Sequence, residues 1–135
     1  MAEESGELGV TFRRLDNGIY EFVFRDADKQ TVDFFFYALE DILRLTKPDD
    51  LNRYVLDVSN SGRDISLVPM IQRFRKLEQL LPNRARGRTA VLHNPALTYT
   101  FLDGLVRALA PGRDLTRFFP VEKRDKAIEW LLSET

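Results

Sequence analysis

This 135-residue sequence predicts an α/β fold, a mainly parallel sheet with an N-terminal hairpin in the order β-β-α-β-α-β-α-β-α. Three observations carry it. Short apolar runs of strand length alternate with longer segments whose apolar residues recur at helical spacing. The first two runs are joined by Asp16-Asn17-Gly18, residue types that tolerate the positive φ of a tight turn. Pro and Gly fall one or two at a time between the periodic segments, as loop punctuation inside one domain. Strands that alternate with helices imply parallel pairing through crossovers.

Val10 to Leu15 and Ile19 to Phe24 form the hairpin. From Thr31 to Lys47, Val32, Phe35, Phe36, Leu39, Ile42 and Leu43 lie on one face of a helix that Pro48 stops. Tyr54 to Val58 is a nearly continuous apolar run, which suits a central strand covered on both faces. Leu67, Met70, Ile71, Phe74, Leu77 and Leu81 mark the second helix, with Pro69 acceptable because it falls in the first turn. Thr89 to His93 is the next strand. Asn94 as N-cap and Pro95 at the first helical position open a helix carrying Leu97, Phe101, Leu105 and Leu109. Leu115 to Phe119 is the last strand, and Asp125 to Leu132 the last helix, with Ala127, Ile128 and Leu131 inward and Trp130 on its flank.

Composition bounds function by exclusion. At 44% hydrophobic and 30% charged the chain is globular, and its length suits one core. Residues 1–9, with Glu3, Glu4 and Glu7, read as a flexible acidic tail, and residues 10–135 as a single domain. Twenty basic against 21 acidic residues leave a net charge of -1, so neither nucleic acid nor an anionic membrane is the expected partner. No apolar stretch approaches the roughly 20 residues of a membrane span. Without Cys there are no disulfides, thiol nucleophiles or thiolate metal sites. A cytoplasmic protein is the expectation.

No phosphate loop, nucleophile elbow or dinucleotide turn is present, so an enzyme is not expected, and no cofactor. His93 is the lone histidine, too few for a usual zinc set, so no metal is expected either. The best polar cluster is Asp57, Ser59, Ser61, Ser66, His93 and Asn94, placed on the rim outside the carboxyl ends of the strands, where open α/β sheets hold ligands. The competing reading is loop capping, because Asp, Ser and Asn bond their own backbone in turns. Arg84, Arg86 and Arg88 form a basic loop before a strand, extendable to Arg73, Arg75 and Lys76, that suits an acidic protein partner or simply solvent. The first helix carries more apolar surface than one face needs. Phe34, Tyr37, Ala38 and Leu45 lie off its main stripe, as a partner surface or as a second buried side against the last helix around Trp130.

The element order, the strands Tyr54-Val55-Leu56-Asp57-Val58-Ser59 and Arg88-Thr89-Ala90-Val91-Leu92, and the ending Arg117-Phe118-Phe119 with Lys126-Ala127-Ile128-Glu129-Trp130-Leu131 resemble the SpoIIAA-like branch of STAS-type domains over residues 10–133. The resemblance implies a small cytoplasmic signalling or regulatory domain that docks a protein partner, or a second copy, and is switched by phosphorylation of a serine opening the second helix. Related CRAL-TRIO-type domains imply the alternative, a carrier of a small apolar ligand or lipid. The chain departs from the antagonist pattern Asp-Ser-Ser-Gly, reading Ser59-Asn60-Ser61-Gly62-Arg63-Asp64-Ile65-Ser66, so Ser61 and Ser66 are the hydroxyls near the acceptor position. Ser66 reads either as an N-cap or as that acceptor.

Overall fold

The structure, a computed structural model, describes residues 9–26, 28–60, 67–94 and 115–133. Five strands form one mixed sheet in the order β1-β2-β3-β4-β5: β1 (Val10–Arg14), β2 (Tyr20–Phe24), β3 (Leu51–Asp57), β4 (Arg86–His93) and β5 (Leu115–Pro120). The first pair is antiparallel and the other three are parallel. The helices are α1 (Lys29–Leu45), α2 (Leu67–Leu80) and α3 (Arg124–Leu132), the last entered through a 3-10 turn at Val121–Lys123. The predicted helix after Asn94 lies outside the described residues.

The hairpin follows its turn chemistry. Gly18 N–H donates to Leu15 C=O at 2.9 Å, Leu15 N–H donates to Ile19 C=O at 2.8 Å, and Gly18 takes a φ of 87°. This is a three-residue loop closed by a glycine in the left-handed region, the geometry that matches strand twist. Helix α1 begins three residues before its apolar stripe does, because Asp28 caps it: the carboxylate accepts the Thr31 N–H at 2.9 Å. That bond holds the Asp28 carboxyl below its ordinary pKa.

Each face of the sheet has its own core. On one face Phe22, Phe24, Tyr54, Leu56 and Val91 pack against Val32, Phe35, Phe36 and Leu39 of α1 and Leu77 of α2. Phe35 stands at the centre of this layer, its ring edge-on to Phe22 at 4.9 Å, Phe24 at 5.4 Å, Phe36 at 4.9 Å and Phe74 at 6.3 Å. On the other face Ile19, Val55, Ala90 and Leu92 pack against Ala127 and Leu131 of α3. Strand β3 is therefore covered on both sides, as its unbroken apolar run predicts.

Charged side chains fasten α3 to its face. Glu21, 3% exposed, receives Arg13 of β1 at 2.6 Å and Arg124 of α3 at 2.5 Å. Arg53 Nε donates to the Leu131 carbonyl at 2.6 Å, and Arg88 donates to the Ser133 carbonyl at 2.7 Å and the Trp130 carbonyl at 3.2 Å. A helix C-terminus presents unpaired carbonyls and negative dipole charge, so two guanidiniums there satisfy both. The sequence reading places Arg88 in a solvated loop. Instead β4 starts at Arg86 and buries Arg88 under α3.

At the N-terminal end of the described residues, the Gly9 N–H donates to Thr31 Oγ1 at 2.9 Å and its carbonyl accepts the Arg25 N–H at 2.5 Å. Thr31 Oγ1 donates in turn to Asp26 at 2.8 Å and is wholly buried. A Cβ on Gly9 would meet the Asp26 carboxylate, so a side chain there would have to displace that carboxylate from its bond to Thr31. Thr31→Val keeps the shape but leaves the buried Gly9 N–H without its acceptor, and is expected to cost about 1–3 kcal/mol in urea unfolding. A loss under a few tenths would show that the hydroxyl ties nothing down.

Candidate functional site

The predicted rim is assembled in part. Asp57 and His93 are the last residues of adjacent parallel strands, joined just beyond by the Val58 N–H to Leu92 C=O bond of 2.9 Å, with Ser59 and Asn94 following. Ser61 and Ser66 lie outside the described residues. Alternation along the strands separates the two central groups. Leu56, Val58 and Val91 belong to the α1/α2 core and Val55, Ala90 and Leu92 to the α3 core, so Asp57 falls on the α3 side and His93 on the α1/α2 side. Their side chains also have local partners. Asp57 Oδ1 accepts the Ser59 N–H at 3.0 Å and the Ser59 hydroxyl at 2.6 Å, an Asx turn, and His93 Nδ1 lies 3.0 Å from the Asn94 carbonyl. What converges at this end of the sheet is turn capping.

The first-helix surface divides as well. Phe34 and Ala38 pack at the margin of the α1/α2 core, while Tyr37 is 64% and Leu45 87% exposed. Covering by the last helix is overturned: Trp130 belongs to the opposite face of the sheet, and α1 meets α2 instead. Arg73 of α2 makes that contact, pairing with Asp33 and lying over Phe36 at 4.9 Å and Tyr37 at 5.9 Å. Hydrogen bonds from Lys29 and Arg73 keep the Asp33 carboxyl below its ordinary pKa. Arg73 thus faces α1, on the other side of the sheet from Arg88.

A concavity lies at the opposite end from the predicted rim, over the beginnings of β3, β4 and β5. An apolar, half-open cavity of about 80 Å³ is walled by Phe35, Leu39 and Leu43 of α1, Phe74 and Leu77 of α2, and Tyr54 and Leu56 of β3. Ala85, Thr89 and Thr116 line its strand side, with Glu78 and Arg84 adding opposite charges. Sequence reasoning missed it. Its apolar lining residues read as ordinary core, and a gap between α1 and α2 is a property of how the two helices seat on the sheet.

Among the described residues no cluster of three or more His, Asp or Glu side chains is placed to hold a metal ion, and no helix is long and apolar enough to cross a membrane. Comparison of the chain with family models, with characterised proteins and with solved structures gives no match.

Proposed function

We propose that this chain is a non-enzymatic regulatory domain that acts by docking a protein partner, which seats one apolar side chain in the cavity between α1, α2 and the sheet. The size of that cavity supports the reading. Its volume of about 80 Å³ is well short of the roughly 300–1,000 Å³ that enclose small-molecule ligands, and further short of a lipid. One liquid water occupies about 30 Å³, so the space suits a single branched or aromatic side chain. Interface anchors are of this kind: a bulky apolar group in a desolvated pocket, bordered by charges that fix its approach. Glu78 and Arg84 supply the border.

Peptides selected from a random displayed library against the folded chain test this. The selected sequences are expected to share one bulky apolar residue. Their binding is expected to fall about thirtyfold when Ala85→Leu fills the cavity, the worth of a hot-spot contact of about 2 kcal/mol. Thr89→Leu provides a second filling variant from β4. Binding indifferent to both variants overturns the proposal. So does a small molecule of fixed mass retained by the purified chain in native mass spectrometry and lost on filling, which is the carrier alternative.

A further inference from the structure

We infer that a row of arginines on the α3 face, with Arg86 and Arg117 foremost, is the surface that binds an acidic segment of the protein partner. The inference rests on the docking reading above and adds the chemistry of the partner. Arg53, Arg86, Arg88 and Arg117 share one sheet face by strand alternation, the face of Val55, Ala90, Leu92 and Phe119. Their registers place them side by side on three adjacent strands: Arg53 opposite Arg88, Arg86 opposite Leu51, and Arg117 opposite Ala90. Four guanidiniums gathered in this way are notable in a chain whose net charge is -1.

Two of the four are committed to the fold, since Arg53 and Arg88 hold the C-terminal carbonyls of α3. Arg86 and Arg117 are exposed, and neither guanidinium has an ion pair or hydrogen bond among the described residues. Arg117 is nevertheless held in place. Its guanidinium lies 5.4 Å from the Phe119 ring and 5.4 Å from the Trp130 ring. A planar guanidinium resting on aromatic rings keeps its edge N–H donors turned outward, and that rigid fork matches a carboxylate with little further loss of side-chain freedom. Exposed Leu115 stands on the same face of the same strand, an apolar neighbour for the partner's backbone.

The same details disfavour nucleic acid. Single-stranded binding uses aromatic faces as stacking platforms for bases, whereas Trp130 already carries two guanidiniums, Arg88 at 5.7 Å and Arg117 at 5.4 Å. Position links the row to the cavity. Thr116, between Leu115 and Arg117 on β5, lines the cavity from the opposite face, so the row and the cavity share one strand.

Dye-labelled hexaglutamate, followed by fluorescence anisotropy at low and at physiological salt, tests this beside a labelled single-stranded oligonucleotide of equal charge. The peptide is expected to bind and to weaken as salt rises. Combining Arg86→Ala with Arg117→Ala is expected to weaken it about tenfold or more, with the circular dichroism of the folded chain unchanged. Arg73→Ala, on the other face, is expected to leave binding within about twofold, as a substitution remote from the contact. Absence of peptide binding, binding indifferent to the paired substitutions, or tighter capture of the oligonucleotide through the same two arginines overturns the inference. Should it fall while the filled-cavity variants still abolish library-peptide binding, the docking reading stands with a different partner chemistry. If the filled-cavity variants also change nothing, both fall.

Discussion

Phe35→Ala is expected to remove about 3–5 kcal/mol from the unfolding free energy, the range for truncating a buried phenylalanine. Phe35 is 2% exposed and meets four other rings, two from β2, one from its own helix and one from α2. It also walls the cavity, so truncation enlarges an existing gap, and the neighbours that would have to close over it are already held apart. A domain of this length has a total stability of about 7–20 kcal/mol at the usual worth per residue, so much of the margin goes with one side chain. Urea titration reads it as a lower midpoint at unchanged slope. Phe35→Leu, which keeps most of the volume, is expected to cost less than about 2 kcal/mol. If Phe35→Ala cost under about 1 kcal/mol, the ring cluster would not be the organising core of this face.

The second large effect concerns charge. Removing both Arg13 and Arg124 by Arg13→Ala with Arg124→Ala leaves Glu21 buried and unpaired, and is expected to cost about 3–5 kcal/mol. The asymmetry within the cluster makes the test specific. The Glu21 side chain is 4% exposed, but those of Arg13 and Arg124 are 59% and 36% exposed. Deleting the carboxylate instead frees two arginines that can turn into water on their long stems. Glu21→Leu alone is therefore expected to change stability by less than about 1 kcal/mol, and added to the double variant it is expected to recover most of the loss, as apolar replacements of buried ion pairs do. If the third substitution deepened the loss, the carboxylate would be contributing something other than pairing to these two arginines.

The cap at Asp28 was legible in principle. An Asp three residues before Thr31 is the usual pattern of an N-cap, yet the apolar stripe begins at Val32 and draws the helix start to it. The starts of β3 and β4 were not legible. Leu51-Asn52-Arg53 and Arg86-Gly87-Arg88 interrupt the apolar runs, and these residues join the sheet because each strand finds its neighbour's backbone in register. The polar rim shows the converse. Asp57, Ser59, His93 and Asn94 lie at one end of the sheet, but which face each one takes is decided by a single step of alternation, and that step puts Asp57 and His93 apart.

What the sequence determined by itself is the set of elements and their inward positions: the hairpin at Asn17-Gly18, the stripe of α1, the doubly covered β3 and the inner residues of α3. Periodicity is a local property, written in residues a few places apart, so it survives without knowledge of the rest of the chain. Only the tertiary structure decided which helix covers which face, that Trp130 packs on the sheet face opposite α1, that Glu21 and Arg88 are buried, and that a cavity opens between α1 and α2. Each of these depends on groups far apart in sequence meeting across a layer. A charged residue becomes a buried one only when its partner arrives from elsewhere in the chain.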